Sequence, residues 1–73
     1  MDLTDNDVEL LGSYGLHRDR SGVWRHGMWW LTWDRDTFYL LRTRSAFGSE
    51  EGYVHSPPAP TIAAALAAWE LSK

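Results

Sequence analysis

Residues 23–44 read VWRHGMWWLTWDRDTFYLLRTR. Four of the five tryptophans of the chain lie here, with Phe38, Tyr39 and four of the seven basic residues. The pattern is that of two strands, 23–34 and 37–44, around the polar turn Asp34-Arg35-Asp36-Thr37. A two- or four-residue loop sets Trp33 opposite Phe38, Leu31 opposite Leu40 and Trp29 opposite Arg42. Trp30, Thr32, Tyr39, Leu41 and Thr43 then share the other side, and a three-residue loop would mix the two sets. Gly27 inside the first strand marks a bulge.

The flanks read as covers for this hairpin. Thr4-Asp5-Asn6-Asp7 has the spacing of a helix N-cap with an acid at the third helical position. Gly12 and Gly15 stop that helix, so a short helix is expected at 5–13. Residues 16–20 form a weak strand, and Ser21-Gly22 is a turn signal. Tyr53-Val54-His55 is a short last strand, followed by the extended segment Ser56-Pro57-Pro58-Ala59-Pro60. Thr61 caps a helix at 61–72, where five alanines between 63 and 68 favour helix and allow close approach. Ile62, Ala65, Leu66 and Trp69 fall on one stripe of it.

The expected fold is α+β: a two-layer domain with a three- to four-stranded antiparallel sheet and both helices on one face. The stripe of the last helix is assigned to the Trp29, Leu31, Trp33, Phe38, Leu40 side. The Trp30, Tyr39, Leu41 side is left open, and function is expected there.

At 73 residues the chain is a single small domain, burying only about 60% of its unfolded surface. It has no cysteine, so neither a disulfide nor a thiolate metal site can staple it. Aromatic rings, each removing roughly 150–250 Å² from water, take that part. The acidic start MDLTDNDVELL lacks the basic and apolar regions of a signal peptide. No apolar run approaches the roughly 20 residues of a membrane span. A cytoplasmic protein with no membrane partner is expected.

Chemistry is sparse. His17, His26 and His55 have no metal-ligand spacing, so neither a metal nor a cofactor is expected. Gly12-Ser13-Tyr14-Gly15 lacks the length and the lysine of a phosphate loop, and no nucleophile motif is present. The reading is therefore non-enzymatic. Trp24, Trp30 and Tyr39, with Arg25 and Arg42 beside them, have the composition of an interface hot spot. Glu50 and Glu51, with Asp2, Asp5, Asp7 and Glu9, form a second acidic candidate surface. The partner expected is a larger protein or nucleoprotein complex. The alternative is a single-stranded nucleic-acid binder that stacks bases on the rings and holds phosphates with arginines. The net charge of −3 and the single lysine weigh against it. The edge strand at 16–20 or at 53–55 could pair copies, so monomer and homodimer both stay open.

In length, acidity, absence of cysteine and compact α+β order, the chain resembles small phage and mobile-element proteins of the anti-CRISPR type. That resemblance implies a stoichiometric inhibitor acting on a host complex, cytoplasmic in the host cell. It assigns no residue a role.

Overall fold

The computed structural model describes residues 3–43 and 53–72. The elements are α1 (Asp5–Ser13), β1 (His17–Arg18), β2 (Trp24–His26), β3 (Trp29–Asp34), β4 (Thr37–Thr43), β5 (Tyr53–His55) and α2 (Ile62–Ser72). The strands form one antiparallel meander in the order β1-β2-β3-β4-β5. This is the α+β arrangement read from the sequence, with five strands where three to four were expected.

The extra strand comes from Gly27. The sequence reading ran one strand through 23–34 with a bulge. Instead Gly27-Met28 is a two-residue hairpin loop, with His26 opposite Trp29 and Arg25 opposite Trp30. Gly27 has φ +61 at the first loop position, the place where a tight hairpin turn asks for glycine. The β3–β4 loop also has two residues, Arg35-Asp36, and the expected pairs Trp33–Phe38 and Leu31–Leu40 are in register. The strand read at 16–20 shrinks to two residues because Asp19 starts the next turn. Arg44, the expected end of β4, lies outside the described residues.

α1 is held at both ends by local sequence. The Thr4 hydroxyl accepts from the Asp7 amide, and the Asp7 carboxylate accepts from the Thr4 amide, each at 3.1 Å. At the other end the Leu16 amide donates to the Leu11 carbonyl and the Gly15 amide to the Gly12 carbonyl, each at 3.0 Å. That pair of bonds is a Schellman motif, with Gly15 at φ +87. Its accompanying apolar contact joins Leu11 and Leu16, both buried in the core.

The core lies between the helices and one sheet face. Leu11, Leu16, Leu31, Leu40, Ile62, Leu66 and Trp69 form it, with Trp24, Trp29 and Phe38 packed at its margin. The expected α2 stripe of Ile62, Ala65, Leu66 and Trp69 is the buried one. Thr61 caps α2, its hydroxyl accepting from the Ala64 amide at 3.1 Å. Trp33 departs from expectation: it shares the core-facing side yet is 49% exposed, because it stands at the end of the hairpin.

Beyond β5 the proline segment keeps following β4. Ala59 exchanges two backbone hydrogen bonds with Phe38 (2.8 and 3.0 Å). Between them, at the Leu40 amide, a side chain replaces the backbone acceptor: the buried Ser56 hydroxyl accepts from it at 2.8 Å. The Ser56 amide returns a bond to the Leu40 carbonyl at 2.9 Å. Ser56→Ala therefore strands a buried N–H. The expected loss is about 1–3 kcal/mol. At about 4–8 °C per kcal/mol for a domain of this size, the melting midpoint should fall by several degrees or more. A midpoint within a degree of wild type would show that the Leu40 amide does not depend on this hydroxyl.

Candidate functional site

Strand parity and register sort the sheet into two faces. Trp24, His26, Trp29, Leu31, Trp33, Phe38, Leu40 and Arg42 point to the helices. His17, Arg25, Trp30, Thr32, Tyr39, Leu41, Tyr53 and His55 point the other way. Among the described residues no helix covers this second face.

The open face is an array of rings. Trp30 and Tyr53 meet edge to face, with centroids 6.1 Å apart and an interplanar angle of 86°. Tyr39 and His55 do the same at 5.7 Å and 64°. The Arg25 guanidinium lies 6.0 Å from the Trp30 centroid. Tyr53 is 58% exposed, while Trp30, Tyr39 and Leu41 are half-buried. The Thr32 hydroxyl beneath them is closed off from water and has no hydrogen-bond partner among the described residues.

A strong electrostatic feature lies at the β1–β2 turn. The Asp19 carboxylate accepts from the Ser21 hydroxyl (2.6 Å), the Arg25 Nε–H (2.6 Å) and the Ser21 and Val23 amides (2.9 and 3.0 Å). The Ser21 hydroxyl, then Arg25, then the Val23 amide hold its pKa far below the usual carboxylate range. Because the folded value is depressed, the bonded carboxylate contributes stability above about pH 4, and that contribution disappears as pH falls toward the lowered value. Asp19→Asn should be the less stable protein at pH 7, and its deficit should shrink below about pH 4. Urea melts across pH 2–7 check this; a deficit independent of pH would contradict it.

The expected partner-binding residues are thus divided. Arg25, Trp30 and Tyr39 share the open face. Trp24 and Arg42 do not: both belong to the helix-bearing face, where Trp24 borders the core and the Arg42 guanidinium lies 5.3 Å from the Trp29 centroid. The turn at Gly27-Met28 is the reason for Trp24. In one continuous strand Trp24 and Trp30 would share parity, but the hairpin sets Trp24 across from Leu31. For Arg42 it is the register itself, which puts it on the Trp29 side. Glu50 and Glu51 lie outside the described residues. Tyr53 and His55 were missed as members of the patch; the signal was the alternation of a short strand, which brings both to one side. Ser56, read only as the start of an extended segment, is a core hydrogen-bonding group.

No group of three or more His, Asp or Glu among the described residues is placed to hold a metal ion. His17 and His55 share a face but sit on opposite edge strands, and His26 is on the other face with its Nδ1 donating to the Gly15 carbonyl at 3.0 Å. No described helix is long and apolar enough to cross a membrane. The fold and its open face define a class: a small two-layer α+β domain presenting an aromatic sheet surface that no described helix covers. Comparison with protein-family models, curated proteins and solved structures finds no match for this chain.

Proposed function

We propose that this chain is a non-enzymatic protein-binding module that grips a larger partner with its open sheet face. In the manner implied by its anti-CRISPR-like format, it would act as a stoichiometric inhibitor of a host complex. The observation that carries the reading is the character of that face. Among the described residues it carries Trp30, Tyr39, Leu41 and Tyr53 with one arginine, Arg25, which lies beside Trp30 and is bonded to Asp19. Rings with one neutralised cation suit the desolvated centre of a protein interface, where Trp, Tyr and Arg carry most of the binding energy. A nucleic-acid platform needs cations free to meet phosphates. Arg18 and Arg42 are on the opposite face, which weakens the nucleic-acid alternative.

Trp30→Ala and Tyr39→Ala test it. The rings on this face support one another by about 0.5–1.5 kcal/mol per pair, so both variants should stay folded by far-UV circular dichroism. Each should lose partner capture from host lysate by about tenfold or more, the scale of a hot-spot truncation. Unchanged capture by folded variants, or unfolding of both, would remove the assignment. Salt-dependent binding of a labelled single-stranded oligonucleotide that these variants lose would favour the alternative instead.

A further inference from the structure

The helix-bearing face has its own uncovered end, and what it suggests stands independently of the open face. α2 packs over β4 and the middle of the sheet and leaves the Trp33 end bare. There a cleft of about 320 Å³ opens between α1 and the β1–β2 hairpin. Leu3 and Val8 form one wall, Leu31 and Trp33 the floor, and Trp24 and Arg18 the other wall.

The walls are fixed by local structure. Thr4 is the N-cap of α1, so Leu3 and Val8 stand at the two positions of a hydrophobic staple. Trp24 is held against the core, and Trp33 is in register with Phe38 across the hairpin. A preformed cleft loses little entropy when filled. Its volume is at the lower end for ligand sites and suits one large side chain rather than an extended molecule. Val8 and Trp33 are both exposed here, and Trp24 is only half-buried.

Charge selects the occupant. Arg18 lines the cleft and has no ion-pair or hydrogen-bond partner among the described residues. Its neighbour Asp19 is turned to the opposite face and bonded to Arg25. No carboxylate lines the cleft among the described residues, and Asp7, beside Val8 in sequence, is bonded back to the Thr4 amide. A slot of mixed lining, with apolar rings on its sides and a guanidinium at its wall that pairs with no described residue, fits an apolar side chain that carries a carboxylate close by. In a protein, those two groups coincide at a C-terminal residue with a large side chain. We propose that this cleft binds the C-terminus of a partner protein ending in phenylalanine or a similarly large apolar residue, with the ring between Trp24 and Trp33 and the carboxylate on Arg18.

The test is titration of the intact chain with the peptide Gly-Ser-Gly-Ser-Phe, followed through the indole N–H signals of its tryptophans in ¹⁵N-resolved spectra. The Trp24 and Trp33 signals should move at millimolar peptide, with Trp30 unmoved. The C-terminal amide of the same peptide should bind about tenfold more weakly or not at all. Arg18→Gln should erase the preference for the free acid, and Trp33→Ala should abolish the shifts of Trp24. Both side chains are at the surface, so the fold should persist. If Trp33→Ala fails to fold, Arg18→Gln still decides the matter. Equal binding of acid and amide, shifts confined to Trp30, or no shift at all would overturn the proposal. So would binding of N-acetylphenylalanine without binding of the peptide, since that would mark a closed small-molecule site.

Discussion

Replacing Trp69 with alanine is expected to remove a large fraction of the domain's stability and to lower its melting midpoint further than any other single change argued here. Trp69 is completely buried and is the largest such side chain among the described residues. It joins the layers: its ring meets Trp29 of β3 edge to face at 6.0 Å and His26 of β2 at 5.6 Å, while it packs with Leu66 in the core cluster. Removing a buried tryptophan typically costs about 3–5 kcal/mol, part transfer and part cavity. A domain of this length has roughly 4–11 kcal/mol in total, from about 0.05–0.15 kcal/mol per residue. No cysteine is present to add a disulfide that would absorb the loss. Trp69→Phe should stay folded with a lowered midpoint, since it keeps a ring against Trp29. Leu71→Ala is the control two residues on: Leu71 is 89% exposed, and its loss should be worth less than about 0.5 kcal/mol. Thermal melts of the three variants order them. Trp69→Ala melting beside Leu71→Ala would mean that α2 is not the cover of this sheet.

How far the residues alone disclose this arrangement depends on the range of the interaction. The Thr4–Asp7 capping box, the α2 stripe and the β3–β4 register are readable because each is decided within a few residues. The Gly27 turn is not, because a glycine in an apolar run suits a bulge and a hairpin equally, and only the pairing partner decides. That one choice moves every residue of β2 to the other face. It is why Trp24 leaves the expected patch and Arg25 comes to lie beside Trp30. Ser56 is opaque for a different reason. Nothing in Ser-Pro-Pro announces that its hydroxyl will complete the ladder of a strand sixteen residues away. The open face was legible as a deduction about area, since one eleven-residue helix and one nine-residue helix can cover only one side of the sheet. Its membership needed the register of β5.

Gly15→Ala is expected to be the second most damaging of these changes, and a matched glycine separates its two causes. Gly15 and Gly22 have nearly the same backbone conformation, φ +87 and +88. Alanine in that left-handed region costs about 1–2 kcal/mol at either position. Around Gly22 a new Cβ meets nothing within 4 Å, so Gly22→Ala should show the backbone cost alone. At Gly15 the Cβ would stand 2.9 Å from His26 Nδ1 and 3.1 Å from its Cε1. That ring is exposed to solvent but is held on two sides. Its Nδ1 is bonded to the Gly15 carbonyl, and Trp69 stands edge to face 5.6 Å from it. Moving it disturbs the same layer contact that Trp69→Ala removes, so Gly15→Ala should cost about 1 kcal/mol or more beyond Gly22→Ala. The excess should vanish in a His26→Ala background, where Gly15→Ala and Gly22→Ala become equal. Equal costs with His26 in place would show that the ring yields freely. An excess that survives its removal would place the clash elsewhere. The outcome bears on design as well as stability: a left-handed glycine pressed under a histidine that in turn leans on the core tryptophan joins the end of α1 to α2 through β2. The open face on the other side of the sheet takes no part in that chain of contacts, so Trp30 and Tyr39 could meet the proposed partner without loosening it.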